Sequence, residues 1–246
     1  SNTFKRHPWE LARLKILLFF LKQSKRCFSI VDIGSGDAFL SSGLAHQLPD
    51  SRIKAFDINY SEDVLNELSV NVPSNVCLTS NFDSLRSIST IDAVILMDVL
   101  EHIEQPKDLL HRILKLPGFT EKTKIIITVP AYQKLFSRHD KELGHFRRYN
   151  IKTLESLLQS HKLKLIRKGY CFNSLLLVRI FQFWSEKFRK SKKVSSNGIH
   201  KWNKGKPTTS FITSVFWIEF KISWYLSRIG IRLPGLTCYS ICQLSQ

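Results

Sequence analysis

Apolar residues recur along the first part of the chain with two different spacings. Short apolar runs, many rich in Ile and Val and typical of buried strands, lie at 28–33, 52–57, 75–79, 91–97, 124–129 and 163–170. Segments with apolar residues at helical spacing lie at 8–23, 39–48, 60–69, 106–115 and 151–160. Strands that alternate with helices in this way predict an α/β protein built on a parallel sheet.

The first predicted strand ends in a glycine turn with the sequence Asp-Ile-Gly-Ser-Gly at 32–36. Glycine allows the backbone a positive φ and lets a ligand approach the main chain closely. A dinucleotide-binding fingerprint needs a third glycine where this chain has Phe39, so that fingerprint is absent. The second strand ends at Asp57, where a carboxylate can accept hydrogen bonds from both hydroxyls of a ribose. Capping of the following helix is the alternative role for Asp57.

Three segments carry a resemblance to a known family. The Val-Asp-x-Gly-x-Gly turn at 31–36 resembles the first motif of class I S-adenosylmethionine (SAM)-dependent methyltransferases. The sequence Asp-Val-Leu-Glu-His-Ile at 98–103 resembles the fourth motif of those that act on small molecules. The pattern His-Asp-x-x-x-Gly-His-x-Arg-Arg-Tyr at 139–149 resembles a bacterial methyltransferase group linked to cell-envelope, glycan and lipid modification. The resemblance covers residues 28–170 and 233–244.

The resemblance implies a Rossmann-like, doubly wound sheet of seven strands whose last strand is antiparallel, and it implies SAM as the cofactor. In the family the glycine turn passes under the amino-acid end of SAM, and Asp32 would support that turn. After the third strand, Asn81 would bond the adenine base and Phe82 would pack on its face. The residues implied to bind the cofactor are Asp32, Gly34, Gly36, Asp57, Asn81, Phe82 and Asp98.

Asp98, Glu101 and His102 follow the fourth strand and leave three interpretations open. His102 could act as a general base. The three side chains could instead bind a divalent cation, because their arrangement resembles the metal site of quinone O-methyltransferases. In the third interpretation Glu101 and His102 only shape the loop and pair with neighbours. We predict a site without metal and keep the cation as the alternative.

The segment after the fifth strand offers groups suited to a methyl acceptor. Imidazole as a side-chain type titrates near neutrality, and either His139 or His145 could deprotonate an acceptor hydroxyl if oxygen is methylated. Arg147 and Arg148 provide guanidinium groups that can bind a phosphate or a carboxylate, and Tyr149 adds a phenol that can form hydrogen bonds. The alternative is a surface lid whose arginines pair with Asp140 and Glu142. The residues predicted to face the acceptor are Arg147, Arg148 and Tyr149.

The resemblance implies a short hairpin before the last strand, but residues 173–232 intervene here. Two aromatic-rich helical patterns, at 175–184 and 211–226, are joined by a basic link. The link carries Lys187, Arg189, Lys190, Lys192, Lys193, Lys201, Lys204 and Lys206. We therefore predict an N-terminal helix in 1–27, a methyltransferase domain formed by 28–172 and 233–246, and a helical insertion at 173–232.

Charge is distributed unevenly along the 246 residues. The net charge is +17, of which residues 1–150 contribute +3 and residues 151–246 contribute +14. Apolar helices with tryptophans at their margins and lysines between them suit an anionic membrane surface. A cover for the core, or a dimer interface, is the alternative. A nucleic-acid partner is disfavoured, because the aromatic residues lie in apolar runs and do not alternate with the lysines.

The five cysteines are an odd number without zinc-ligand spacing, which favours reduced thiols in a cytoplasmic protein. The sequence shows no signal peptide, and no apolar run is long enough to span a membrane. We expect a cytoplasmic enzyme that can lie on the cytoplasmic face of a membrane and O-methylates a lipid-linked, glycan or other membrane-delivered acceptor. The alternatives are a soluble methyltransferase for a small molecule or RNA, and a catalytically silent adaptor. The oligomeric state stays open.

Overall fold

The computed structural model describes residues 6–22, 29–188 and 202–245. The strands are β1 (Ser29–Ile33), β2 (Arg52–Phe56), β3 (Val76–Thr79), β4 (Ala93–Met97), β5 (Lys124–Pro130), β6 (Leu163–Cys171) and β7 (Thr237–Leu244). The helices are α1 (Pro8–Lys22), α2 (Phe39–Gln47), α3 (Glu62–Ser69), α4 (Pro106–Leu114), α5 (Arg138–Glu142), α6 (Ile151–Gln159), α7 (Asn173–Phe188) and α8 (Lys206–Arg228). Within these ranges, no helix is both long and apolar enough to cross a membrane.

The seven strands form one sheet in the order β3-β2-β1-β4-β5-β7-β6. The first five strands are parallel to one another, and β7 lies antiparallel between β5 and β6. This confirms the predicted fold class. The chain order reverses between β1 and β4, and their carboxyl ends lie side by side. Open α/β sheets build their ligand crevice at such a point.

Helices cover both faces of the sheet, so the central strands are buried on both sides. Val31 of β1 packs in one cluster with residues of α4 and α6, whereas the preceding Ile30 packs in a second cluster with residues of α1, α2 and α8. Successive side chains of a strand point to opposite faces, and β1 therefore contributes to both clusters. This explains why the predicted strands are continuous apolar runs.

Aromatic side chains join α1, α8 and the sheet. The Phe20 ring lies 5.5 Å from the Phe220 ring and 5.0 Å from the Tyr239 ring of β7, measured between centroids. Phe19 makes an edge contact with Trp224 at 5.1 Å. The predicted helix at 8–23 thus packs on the sheet, and α8 covers the core with one of its faces.

The two aromatic-rich patterns predicted as helices fall within α7 and α8. Between these helices, Arg189, Lys190, Lys192, Lys193 and Lys201 of the basic link lie outside the described residues, as does Phe28 of the first predicted strand. The division of the chain into an N-terminal helix, a split domain and an insertion stays a prediction.

Candidate active site

The glycine turn leads from β1 into α2 and uses positive φ at both glycines. The values are 72° at Gly34 and 56° at Gly36. A Cβ atom added to Gly34 would lie 2.6 Å from Cγ2 of Val99, so the glycine permits close packing against the end of β4. A Cβ added to Gly36 would meet nothing within 4 Å. The open side of Gly36 therefore leaves room for a ligand beside the backbone.

Asp57 lies against this turn. Its Oδ2 accepts a hydrogen bond from the Gly36 backbone N–H at 2.8 Å, and its Oδ1 accepts one from the Asn59 N–H at 2.9 Å. The N–H groups of Gly34 and Ser35 donate to the Phe56 carbonyl of β2. The structure thus brings the predicted glycines and Asp57 into one unit, although they are far apart in the chain.

Asp32 lies beneath the turn, where it is almost fully buried. Its Oδ2 accepts a hydrogen bond from the Ser41 hydroxyl of α2 at 2.6 Å. Burial raises the pKa of Asp32 to about 6, an effect that the Ser41 hydrogen bond partly offsets. This position suits a residue that holds the start of α2 against β1.

Sequence reasoning missed Arg13, which α1 places over the same crevice. One of its terminal nitrogens lies 3.1 Å from Oδ2 of Asp98, and its guanidinium lies over the Trp9 ring. Thr128 of β5 donates to the other oxygen of Asp98 at 2.9 Å. Asp98 itself has φ of 57°, an uncommon conformation for a residue with a Cβ. No local pattern marks Arg13, because only the packing of α1 on the sheet brings it to the crevice.

A cleft of about 150 Å³ opens between α1 and the glycine turn. Its lining includes Arg13, Gly34, Gly36, Asp37 and Met97. A guanidinium suits a carboxylate, and exposed backbone at a glycine permits close approach. Asp57 is not among the residues that line the cleft, but it bonds the Gly36 N–H and is an acid suited to a ribose. These are the groups that the amino-acid and ribose parts of SAM require, so the residues present fit the cofactor.

Asn81 and Phe82 follow β3 and already have protein partners. The Asn81 side-chain oxygen accepts from the Asp83 N–H at 2.9 Å and caps a short 3₁₀ turn. The buried Phe82 ring makes an edge contact with Phe56, and the Arg112 guanidinium lies 4.1 Å from its centroid. The proposed contacts of both residues with adenine stay a prediction.

A second group of side chains lies beyond the end of β4. Ligand atoms of Glu101, His102 and His145 are all within 4.8 Å of one another, and the two imidazole centroids are 4.6 Å apart. Glu101 is 0% exposed, and neither carboxylate oxygen has a hydrogen-bond partner in any other described residue. Burial raises the pKa of Glu101 well above its ordinary value, and the Asp98 charge adds to the effect. Partial burial, together with the nearby His145, lowers the pKa of His102.

Asp140 orients His145 within this group. Asp140 is 0% exposed, and its Oδ1 lies 3.0 Å from Nδ1 of His145 and 2.7 Å from Nε of Arg148. A terminal nitrogen of Arg179 on α7 lies 3.6 Å from its Oδ2. Although burial alone raises the pKa of Asp140, the hydrogen bonds from His145 and Arg148 bring it below its ordinary value. Asp140 is thus ionised and can only accept, so Nδ1 of His145 donates to it and Nε2 is the ring nitrogen left to take a proton.

The other predicted acceptor-facing residues do not share one environment. His139 is exposed on α5, and Arg147 donates to the Glu104 carbonyl at 2.8 Å. Arg148 is buried on Asp140, and the buried Tyr149 hydroxyl donates to the Leu100 carbonyl at 3.3 Å. Burial raises the pKa of Tyr149. Arg148 thus pairs with Asp140, as the surface-lid alternative expects. Direct contact of His139, Arg147, Arg148 or Tyr149 with an acceptor stays a prediction.

Comparison with known proteins identifies the family. A family model described as a methyltransferase domain matches residues 5–168. The chain belongs to this family. It is a class I SAM-dependent methyltransferase, as the sequence predicted, and SAM is its cofactor. No protein with a curated description matches the chain.

Solved structures of methyltransferases resemble this methyltransferase at low sequence identity. A SAM-dependent methyltransferase from Archaeoglobus fulgidus is 17% identical, with a TM-score of 0.54, over 96% of this chain and 93% of that chain. The N-methyltransferase NodS from Bradyrhizobium japonicum WM9, bound to S-adenosyl-L-homocysteine, is 15% identical, with a TM-score of 0.52, over 69% and 82%. The plantazolicin methyltransferase BpumL, bound to the same compound, is 14% identical, with a TM-score of 0.53, over 97% and 84%. At these identities the likeness shows the fold.

Proposed function

We propose that this methyltransferase transfers the methyl group of SAM to a hydroxyl oxygen, with His145 as the general base. The observation that carries the proposal is the pair formed by His145 and the buried Asp140, which leaves Nε2 of the imidazole as the proton acceptor. A hydroxyl must lose its proton as its oxygen is methylated, and a positioned histidine is the most common group for this task.

Residues of the chain would hold the cofactor and order the reaction. Arg13 would bind the carboxylate of SAM, Asp57 the ribose hydroxyls, and the backbone at Gly36 the main body of the ligand. When bound, SAM supplies an electrophilic methyl group on a sulfonium. The protein mainly aligns donor and acceptor, which removes much of the entropic barrier.

His145 would take the hydroxyl proton on Nε2 as the oxygen–methyl bond forms. The resulting imidazolium is stabilised by the Asp140 carboxylate 3.0 Å from Nδ1. Arg148 donates to the same oxygen of Asp140, at 2.7 Å, and holds that carboxylate in place. His102, whose pKa is lowered, is neutral at pH 7 and can accept a hydrogen bond from the acceptor.

A divalent cation gives a second candidate role to the same group. Glu101, His102 and His145 could hold it, and the buried Glu101 carboxylate, which has no hydrogen-bond partner in any other described residue, is the observation that favours this role. The sequence grouped Asp98 with Glu101 and His102 as candidate cation ligands, but Asp98 pairs with Arg13 and Thr128. A bound cation would lower the pKa of an acceptor hydroxyl. A mixed set of imidazole and carboxylate ligands suits Zn²⁺ or Mn²⁺.

The acceptor class is the finer part of the proposal. We place it among lipid-linked or glycan hydroxyls delivered at a membrane. Two features support this choice: the motif at 139–149, and the basic apolar helices α7 and α8. A soluble acceptor and a silent adaptor are the competing functions.

The test measures methyl transfer from isotopically labelled SAM to a polar lipid fraction, a lipid-linked saccharide fraction and soluble sugars, with mass spectrometry of the products. We expect an ether-linked methyl group on a lipid-linked or glycan hydroxyl. For the acceptor found, His145→Gln should lower kcat by about 10²–10⁴-fold. His139→Gln, the other base predicted from the sequence, should change kcat less than about threefold, because its side chain is exposed. Methylation of nitrogen, or loss of rate in the His139 variant alone, would contradict the proposal.

Cation dependence is measured separately. Removal of divalent ions with a chelator and re-addition of Mn²⁺, Zn²⁺ or Mg²⁺ should leave kcat unchanged if His145 acts as the base. Restoration of activity by one ion, with loss of that ion's binding in Glu101→Gln by calorimetry, would favour the cation role.

A further inference from the structure

We propose that α7 and α8 form a docking surface for a bilayer that contains anionic lipid. The surface consists of an exposed apolar stripe on each helix and a basic groove at the carboxyl end of α8. As an account of how the acceptor is delivered, this inference rests on the proposed function. As a binding surface, it is tested without methyl transfer.

The stripe on α8 runs along one side of the helix. Its residues recur at intervals of seven, four, three and four positions, so they share a face. Phe211 is 70% exposed, and the others are at least half exposed. The opposite side holds the buried residues that pack on the sheet. The stripe consists of Phe211, Ile218, Ile222 and Tyr225 of α8 and continues to Ile229, the residue directly after the helix.

A helix that only covers a core has a polar outer face, whereas α8 is apolar on both sides. Contiguous exposed apolar surface with a polar rim marks an interaction site. The outer face of α8 therefore needs a partner that accepts an apolar surface about 27 Å long, taking 1.5 Å per residue from Phe211 to Ile229.

The stripe on α7 is formed by Leu177, Val178, Phe181 and Trp184, and Phe181 is 76% exposed. The inner side of α7 carries the buried Arg179, whose guanidinium contacts the Ser137 hydroxyl and lies 3.6 Å from Oδ2 of Asp140. One helix thus presents an apolar outer face and contacts the carboxylate that orients His145. An acceptor held at a membrane against α7 would lie close to residues 139–149, the segment predicted to face the acceptor.

Positive charge is concentrated near the carboxyl end of α8. A groove of about 270 Å³ is bordered by β6, the end of α8 and the loop after it. Its charged lining consists of Lys164, Arg167, Lys168, Arg232 and Glu155, and Glu155 pairs with Lys168. Three cations therefore have no acidic partner within the groove lining. Such a groove suits phosphate-bearing headgroups.

Lys221 of α8 contributes a positive charge that packs against aromatic rings. Its ammonium lies 4.3 Å from the Phe19 centroid and 5.0 Å from the Tyr225 centroid. These are cation–π contacts, which hold the ammonium beside the aromatic residues of α1 and α8. The acidic residue on the described length of α8 is Glu219, which accepts from the Ser174 N–H.

Two other occupants of this surface are disfavoured. The link at 189–201 contains only two aliphatic side chains, Val194 and Ile199, against five lysines and arginines, so its composition does not suit an apolar cover. A second copy would bring together two regions that each carry +14 over residues 151–246. Like charges oppose that association, whereas they favour an anionic bilayer.

The experiment is flotation of the whole chain with vesicles of phosphatidylcholine, with and without phosphatidylglycerol, in the absence of SAM and acceptor. We expect binding to the anionic vesicles that weakens as salt is raised. Phe181→Ser and Phe211→Ser together should weaken binding at least about tenfold, because two large apolar side chains are lost from the interface. Arg232→Gln should weaken it about fivefold, the effect of one charge near an anionic surface.

The three substitutions are at exposed positions, so thermal unfolding and SAM binding by calorimetry should match those of the parent chain. Glu62→Gln, an exposed change on α3, is the matched control. Absence of vesicle binding by the parent chain would overturn the inference. So would equal binding to neutral vesicles, or loss of a sedimenting dimer in the Phe181/Phe211 variant with vesicle binding unchanged. Vesicle binding without methyl transfer to any hydroxyl would overturn the proposed function and leave the docking surface intact.

Discussion

The glycine turn and the acceptor group, which consists of Glu101, His102, Asp140 and His145, lie at neighbouring strand ends but are built differently. At the turn, backbone N–H groups and Asp57 satisfy one another, and the free space lies beside Gly36. In the acceptor group, side chains carry the chemistry, and the buried Glu101 carboxylate accepts no hydrogen bond from another residue in the described part of the chain. The glycine turn is a preformed backbone site with room for a ligand, whereas the acceptor group holds side chains whose protonation depends on their surroundings.

The difference predicts how each region responds to substitution. Changes at the turn should alter cofactor affinity with little effect on the rest of the fold. Changes in the acceptor group should alter stability and its pH dependence, because buried charges are linked to folding through their pKa values.

The largest effect is expected from Asp140→Asn. Loss of this buried carboxylate leaves Arg148 and the facing Arg179 near an amide, and breaking a buried ion pair costs about 3–5 kcal/mol of unfolding free energy. The pKa of Asp140 is lowered in the fold. The parent should therefore exceed the variant in unfolding free energy by the full amount above about pH 4, the ordinary pKa of an aspartate, and the difference should shrink as the pH falls below about 4. Urea unfolding between pH 3 and 8 measures this. Glu142→Gln, on the same helix, is the control, and an equal loss in both variants would contradict the argument.

Asp57→Ala should weaken SAM binding by about 10–100-fold, since both a ribose ligand and the support of the Gly36 N–H are lost. Calorimetry with SAM and S-adenosylhomocysteine gives the affinity. Asp63→Ala removes an exposed acid from α3 and should leave affinity unchanged. Unaltered binding by the Asp57 variant would remove this residue from the predicted cofactor set.

Arg13→Gln should weaken SAM binding about tenfold by removing one charged hydrogen bond to the carboxylate. S-adenosylhomocysteine carries the same carboxylate, so its affinity should fall by the same factor. 5′-Methylthioadenosine lacks the carboxylate and should bind the parent and the Arg13 variant equally. Lys15→Gln is the matched change on an exposed position of α1. A similar loss for methylthioadenosine would show that Arg13 acts through the position of α1 alone.

The smallest effect is expected from Glu101→Gln, which should raise the unfolding free energy at pH 7 by about 1 kcal/mol. The pKa of Glu101 is raised in the fold, so the unfolded chain releases its proton first and the parent loses stability as the pH rises above about 4.5. The difference between variant and parent should therefore vanish at low pH. Chelator-treated protein is used, and Glu104→Gln is the exposed control. Destabilisation by Glu101→Gln would indicate that the carboxylate is paired in solution.

The sequence determined the α/β class, the glycine turn and the position of Asp57, because each depends on local residues. An apolar run followed by glycines specifies a strand and a turn, and the acid falls at the next strand end. The two apolar helices within 173–232 were also visible in the pattern. The sequence could not show that β7 inserts between β5 and β6.

Tertiary structure alone decided which side chains meet at the crevice. Arg13 reaches Asp98 only because α1 packs on the sheet beside α8, and no motif surrounds it. His145 joins Glu101 and His102 because Asp140 and the Phe146 N–H, bonded to the Glu101 carbonyl, fix the segment against β4. The sequence placed Asp98 in that set instead. Spacing along a chain predicts which residues share an element, but contacts between elements depend on packing that no single segment specifies.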